Sequence, residues 1–238
     1  MASSTSSPDR ANRAPTARWS IVRWLFELLY HSRTLYLLAS TIPFAGQWRV
    51  WQRLALERVT GVDTLEVGCG IGTLLGDTLS RGYHARAIDR SPQMVAATRR
   101  ELRRRGLPVA PDTVQLASVQ TLPFADASFD SVISTFPTDY IADPATLREI
   151  ARVLRPGGRL VIVLGASLLP ARLALRPLVA LQRPVYGRAD AQAAVSCARS
   201  AGLAATLQSR LRAAGLAAQA ECVSGPFWIA YLIMASRT

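Results

Sequence analysis

The sequence contains no lysine: each of its 28 basic residues is arginine. An absence so complete reads as compositional bias of the coding genome, not as a designed feature. Histidine is nearly absent as well, and neither His31 nor His84 has a sequence neighbour that would make it a general base. The three cysteines, Cys69, Cys197 and Cys222, are odd in number and far apart. They fit neither a disulfide framework nor a Cys/His zinc pattern, which suits a reducing cytoplasm, and no metal site is visible in the sequence. Long apolar runs are also missing. The most apolar stretch, Leu160 to Leu181, is interrupted by Pro170, Arg172, Arg176 and Pro177, too polar for a lipid-spanning helix. Residues 1–18 are rich in Ser, Pro and Arg and lack the apolar centre of a secretory signal. They are expected to form a disordered tail.

What remains is a chain of 238 residues, half of them hydrophobic and 18% charged, enough for one generous α/β domain. The formal charge of +12 attracts nucleic acid, anionic lipid and acidic substrates alike, and does not choose among them. From Trp19 to Phe44 the polar residues Ser20, Arg23, Glu27, His31 and Thr34 form a narrow stripe on one or two aromatic-rich helices. The wide apolar remainder must pack on the domain, a lipid surface or a greasy ligand. A basic amphipathic stretch, Gln47 to Val59, follows. Residues 19–60 are thus expected to form a helical cap, and 61–238 the main domain.

Within that domain the hydrophobic period changes to that of buried strands. Strands are expected at Thr64–Val67, Ala85–Asp89, Val114–Leu116, Ser131–Ser134 and Arg159–Leu164, with helices at Thr73–Arg81, after Ser91-Pro92, and at Pro144–Leu154. Arg155-Pro156-Gly157-Gly158 reads as a turn that no strand or helix would tolerate inside. A helix Leu203–Ala214, stopped at Gly215, precedes a hairpin of Ala217–Val223 and Phe227–Ala235 around Gly225-Pro226. Residues 167–202 read as an inserted helical cover. Strands alternating with helices at this spacing argue for a parallel sheet covered on both faces.

In such a sheet ligands bind beyond the carboxyl ends of the strands, at the point where strand order reverses. The first strand runs into Gly68-Cys69-Gly70-Ile71-Gly72, where glycines allow sharp turns and close approach of a ligand to the main chain. The helix behind offers free N–H groups to an anionic ligand. The third glycine comes one residue too early for a dinucleotide fingerprint. Asp89, closing the second strand, is placed to accept both hydroxyls of a ribose. Strand, G-x-G-x-G, strand and acid together point to a nucleoside-bearing cofactor.

The stretch Thr64 to Gly72 resembles motif I of the class I S-adenosylmethionine-dependent methyltransferases. Three further stretches resemble that family in order: Ala87 to Met94, Leu122 to Asp130, and Leu147 to Gly158. The resemblance covers about residues 60–165. It implies a Rossmann-like, seven-stranded, mostly parallel sheet with an antiparallel C-terminal hairpin and helices on both faces. It also implies S-adenosyl-L-methionine as cofactor, with Gly68, Cys69, Gly70 and Gly72 packing against it and Glu66 organising the loop and the cofactor's ammonium. Asp89 would hold the ribose hydroxyls, and Arg90 and Met94 would border the adenine. Where many relatives carry an acid for the adenine amino group this chain has Ser118, leaving the Val119 N–H as a candidate. Ser134 and Thr135 would meet the methionine portion.

Methyl transfer needs alignment and exclusion of water, and a base only for weak nucleophiles. The position where relatives often place a histidine reads Asp139-Tyr140, so these two are the candidate catalytic residues; as a packing tyrosine and a turn aspartate they explain themselves equally well. Cys69 reads as a small loop residue, not a nucleophile. Arg99, Arg100, Arg103, Arg104 and Arg105 share one helix and read as a solvated face, which disfavours nucleic acid as partner. The Leu, Trp, Tyr and Arg content of the cap and insert favours a small, hydrophobic or lipid-like acceptor. A basic aromatic helix is also suited to peripheral contact with an anionic membrane. RNA or protein methylation, or a silent cofactor-binding scaffold, are the other readings of the same fold.

Overall fold

A computed structural model of the chain describes residues 44, 46–168 and 197–238, with the backbone alone described for 197–204. The tail 1–18, the helices expected over Trp19–Phe44 apart from Phe44 itself, and 169–196 of the expected insert lie outside the described residues.

The alternation of strand and helix follows from where apolar side chains recur. A short helix α1 (Trp48–Arg53) precedes β1 (Asp63–Val67), α2 (Thr73–Ser80), β2 (His84–Asp89), α3 (Pro92–Arg104), β3 (Val114–Leu116) and β4 (Phe129–Thr135). After a 3-10 turn at Asp139–Ala142 come α4 (Pro144–Val153), β5 (Leu154–Leu168), α5 (Cys197–Ala213), β6 (Leu216–Ser224) and β7 (Trp228–Arg237). Local chemistry sets several of these bounds. Ser91 caps α3 by accepting the Met94 N–H, and Asp143 caps α4 by accepting that of Ala145, each with proline as the first helical residue.

The seven strands lie in the order β3-β2-β1-β4-β5-β7-β6. β1 to β5 are parallel, and β7 and β6 run antiparallel at the far edge. The crossovers run outward from β1 through β2 to β3, then return to β4 on the other side of β1. The order therefore reverses between β1 and β4, and the crevice beyond their carboxyl ends is where such a sheet binds ligands.

The core divides by strand parity. Leu160 and Ile162 of β5 pack on one face with Leu147, Ile150 and Leu211 of the helices. Val161 and Val163 point to the other face, with Trp51, Leu74 and Trp228. A third cluster, built on Val95, Leu102 and Val114, seats α3 beside β2. Among the described residues no helix is long and apolar enough to cross a membrane.

One expectation is corrected. Arg155-Pro156-Gly157-Gly158 does not end the element: β5 begins at Leu154, which pairs with Phe129, and the ladder resumes at Arg159 opposite Ser131. The intervening residues bulge from an otherwise continuous strand, with Gly157 at φ +76°. The turn chemistry was read correctly, but pairing on both sides of it absorbs the turn. The insert's bounds also shift, since β5 runs through Ser167 and Leu168, and α5 already includes residues 197–202.

The arginines are largely committed to internal contacts. Asp77 of α2 accepts Arg49 and Arg53 of α1 at 2.7 Å each and Arg105 at 2.8 Å. Arg104 and Arg105 also pair with Glu101, whose side chain is buried. On the arginine-rich α3, Arg99 donates to the Val114 carbonyl at 2.8 Å. Arg99 and Arg105 therefore fasten the helix to its neighbours, while Arg104 pairs within the helix.

The Arg104 hydrogen bond, and then that of Arg105, hold Glu101 down at about 2 against the ordinary 4.5, although burial opposes them. A carboxylate with a depressed pKa stabilises the fold above its ordinary value, and that stability is lost as pH falls through the lowered one. Acid unfolding of the wild type is therefore expected to steepen between pH 4.5 and about 2. Glu101→Gln should be less stable at neutral pH and lack this part of the acid transition, as circular dichroism against pH would show.

Candidate functional site

The crevice between β1 and β4 is built around a strained loop. Gly68, Gly70 and Gly72 have φ of +74°, +57° and +76°, a region that favours glycine over residues with a Cβ. The outer two glycines answer to different neighbours. A Cβ on Gly68 would stand 2.9 Å from the Tyr140 hydroxyl, on the side of the crevice. A Cβ on Gly72 would meet Thr98 of α3 at 2.5 Å. Gly72 thus serves the packing of α3 on the loop, and Gly68 makes room for the Tyr140 hydroxyl. The neighbouring Cys69 is buried, with its sulfur 3.5 Å from the Thr98 hydroxyl. Burial pushes its thiol pKa well up, so it is a packing residue and not a nucleophile.

Two acids lie beneath this loop. Asp89 accepts the Gly70 N–H at 3.0 Å through one carboxylate oxygen and the Ser91 N–H at 2.9 Å through the other. It therefore ties the glycine loop to the start of α3, and each oxygen keeps lone-pair capacity for a further donor. Burial raises its pKa, against the pull of these N–H groups. Glu66, on β1, is 4% exposed, and its Oε2 is buried without a hydrogen-bond partner among the described residues. Burial, reinforced by the nearby Asp89 charge, pushes its pKa well above the ordinary value, with the Leu75 N–H opposing. A buried carboxyl oxygen without a donor has an unmet demand that a cationic or N–H-bearing ligand would satisfy.

The wall opposite comes from the end of β4. Ser134 is fully buried, and its hydroxyl lies 2.9 Å from that of Tyr140. Tyr140 Oη is also 3.4 Å from the Val67 carbonyl. Burial is the main reason its pKa is pushed up to about 12, so at neutral pH it is a hydrogen-bonding phenol and not a phenolate. Asp139 beside it is exposed. Tyr140 is thus brought to the crevice, whereas Asp139 faces solvent. Arg90 and Ser118 are exposed, and Met94 and Val119 buried. Ser118 Oγ bonds the Gln120 side chain.

Two residues the sequence reading missed organise this site. Thr98, fully buried on α3, donates to the Gly70 carbonyl at 2.7 Å. Its signal was a polar side chain on a buried helical stripe, four residues after Met94. Gln52 of α1 is 8% exposed; its amide donates to Thr135 Oγ1 at 3.4 Å and accepts from Thr73 Oγ1 at 3.2 Å. One side chain from the cap thereby joins both walls of the crevice, and no local pattern announces it.

These donors and acceptors suit S-adenosylmethionine. The Glu66 oxygen could take an ammonium, and the Asp89 carboxylate the ribose hydroxyls. Asp89→Ala should weaken binding of S-adenosylhomocysteine by about 1.5–3 kcal/mol, the worth of hydrogen bonds to a charged group. Equilibrium dialysis would measure it, and unchanged affinity would remove Asp89 from the site.

Comparison with known proteins gives the same family of domain. Residues 65–162 match the model of a methyltransferase domain. The chain is 36% identical over 131 residues to a demethylmenaquinone methyltransferase of Corynebacterium efficiens, covering 53% of each. It is 33% identical over 159 residues to one of Symbiobacterium thermophilum, covering 62% of this chain and 60% of that one. The chain spans about half the length of these relatives. Among solved structures, one described as an S-adenosyl-L-methionine-dependent methyltransferase of Methanococcus maripaludis superposes with a TM-score of 0.59. It has 20% identity and covers 96% of this chain and 97% of that one. Geranyl diphosphate C-methyltransferase of Streptomyces coelicolor superposes with a TM-score of 0.54 at 15% identity, over 80% of this chain and 77% of that one. At these identities the two structures speak for the fold.

Proposed function

We propose, on the premise that this chain carries a class I S-adenosylmethionine-dependent methyltransferase domain over residues 65–162, that it methylates a small hydrophobic acceptor. The observation that carries the reading is the pairing of two kinds of surface at one strand end. A polar cradle of Glu66, Asp89 and the Gly68 loop lies at the carboxyl ends of β1 and β2, and Phe136, stacked on Trp48, directly follows the end of β4. Relatives named demethylmenaquinone methyltransferases support an acceptor of this type. The engagement of Arg99, Arg104 and Arg105 with α3's own surroundings removes much of the charge argument for RNA. A cytoplasmic protein acting on a lipid-like acceptor would work at a membrane surface, and the arginine-rich composition is compatible with that.

The cofactor supplies an electrophilic methyl on a sulfonium, whose charge vanishes as the methyl moves. The chain's residues bind, orient and exclude water. Glu66 offers its unpartnered oxygen to the ammonium group, and Asp89 fixes the nucleoside end. Ser134 and Tyr140 border the methionine end. Tyr140, neutral at physiological pH and anchored by Ser134, acts there as a donor or acceptor that positions the reacting groups, not as a base. Gln52 holds Thr73 and Thr135 at a fixed separation, so the cap and the cradle close as one unit. A thiolate or a neutral amine carries its own lone pair to the methyl and needs no base for attack.

The test uses the full chain with methyl-labelled S-adenosylmethionine. The acceptor panel comprises a naphthoquinol, simple phenols, thiols and anionic phospholipid vesicles, with total RNA and unfolded protein as controls. Label is expected in an apolar small-molecule fraction; label confined to RNA or protein would overturn the proposal. With the accepted substrate, Tyr140→Phe should lower kcat by about tenfold, the equivalent of one hydrogen bond, while leaving S-adenosylhomocysteine affinity within about twofold. Wild-type turnover would reduce Tyr140 to packing.

A further inference from the structure

Phe136 is held in a backbone conformation that its side chain resists. Its φ is +51°, in the left-handed region that bulky residues rarely enter. It also precedes Pro137, whose ring narrows the choices of the residue before it. Its N–H donates to the Val163 carbonyl at 2.8 Å, which pins it to β5 immediately after Thr135. Glycine at this position would relieve the backbone but would remove the ring. Strain of this kind persists only where the surroundings over-determine it, and it concentrates at functional sites.

The ring that the strain positions is stacked on Trp48, with centroids 4.1 Å apart and planes at 22°. Trp48 in turn tilts against Phe44 at 5.2 Å, and Trp51 meets Phe136 edge-on at 6.4 Å. Trp51 is completely buried, as a core residue should be. Trp48 and Phe136 are only half-buried. Core packing alone explains Trp51; it does not explain a strained residue whose ring is left partly open. The pair also starts one residue beyond Thr135, which Gln52 ties to Thr73 at the mouth of the glycine loop. A molecule with its reacting atom at the methionine end of the cradle would rest its body against these rings.

We infer that Trp48 and Phe136 form the acceptor wall, and that it selects a planar aromatic ring system over a saturated one of the same size. This deepens the methyltransferase reading and rests on it. Aromatic faces and edges attract one another beyond the area they bury, whereas a saturated ring gains only the area. Trp48 and Phe136 are then specificity-determining residues, and the rest of the apolar cluster is scaffold.

The test titrates the full chain, saturated with S-adenosylhomocysteine, with 1-naphthol and separately with its saturated counterpart decahydro-1-naphthol, by calorimetry. The wild type is expected to bind naphthol about tenfold more tightly, the difference that one ring-ring interaction makes. Trp48→Leu and Phe136→Leu should abolish that ratio without changing affinity for S-adenosylhomocysteine, and Trp48→Phe, which keeps a ring, should retain most of it. Equal affinity of the two probes in the wild type, or a ratio that survives both leucine variants, would overturn the inference. Failure of the wild type to bind S-adenosylhomocysteine would instead overturn the methyltransferase reading, and the aromatic wall with it.

Discussion

Two carboxyl groups buried beneath one glycine loop are the constraint on which the site depends. Asp89 is tolerated there because the Gly70 and Ser91 amides donate to it, and those hydrogen bonds set the position of the loop against α3. Glu66 is less well served: one of its oxygens has no donor among the described residues, and its pKa is raised by burial and by Asp89. Folding alone would not favour this arrangement, because burying a carboxyl without full compensation costs stability. A ligand that brings a positive charge and hydroxyl donors compensates both. The loop's positive φ values, Thr98 against Gly72 and the Tyr140 hydroxyl against Gly68 all follow from fitting backbone closely between these acids and the neighbouring elements.

The cap is coupled to this site by charge as well as by packing. Arg49 and Arg53, one helical turn apart, reach Asp77 on α2, which Arg105 approaches from α3. Three helices thus meet at one carboxylate, with Gln52 of the same cap helix reaching into the crevice between the two arginines in sequence. Trp48, Trp51 and Phe136 complete the contact on the apolar side. The aromatic pair and the glycine-loop crevice are thereby held by the same short helix, which on the proposed reading links acceptor recognition to the placement of Thr73 and Thr135.

Much of this was legible in the sequence where the cause is local. The strands are legible as apolar runs, the start of α3 in Ser91-Pro92, and the sheet type in the alternation of strands and helices. The glycine loop and Asp89 were readable because few residue types can do what they do. What escaped has non-local causes. Gln52 acquires its role from partners 21 and 83 residues away, and Thr98 from a loop 28 residues away. The bulge at Arg155 to Gly158 looked like a terminator because its chemistry is that of a turn; pairing on both sides decides otherwise. Phe136 could not be read at all. Its φ of +51° is set by β5 and Trp48 against its own preference. Asp139 and Tyr140 were adjacent in sequence and equal as candidates, and only the fold separates the half-buried phenol from the exposed carboxylate.

The most direct test of the account is calorimetric titration of the full chain with S-adenosylhomocysteine across a pH series from about 5 to about 9, because burial raises the Glu66 carboxyl well above its ordinary value. A protonated Glu66 gives the ligand's ammonium no opposite charge, so binding at one site that tightens as pH rises is the predicted result. No binding by the folded chain, or affinity that stays constant or weakens as pH rises, would contradict it.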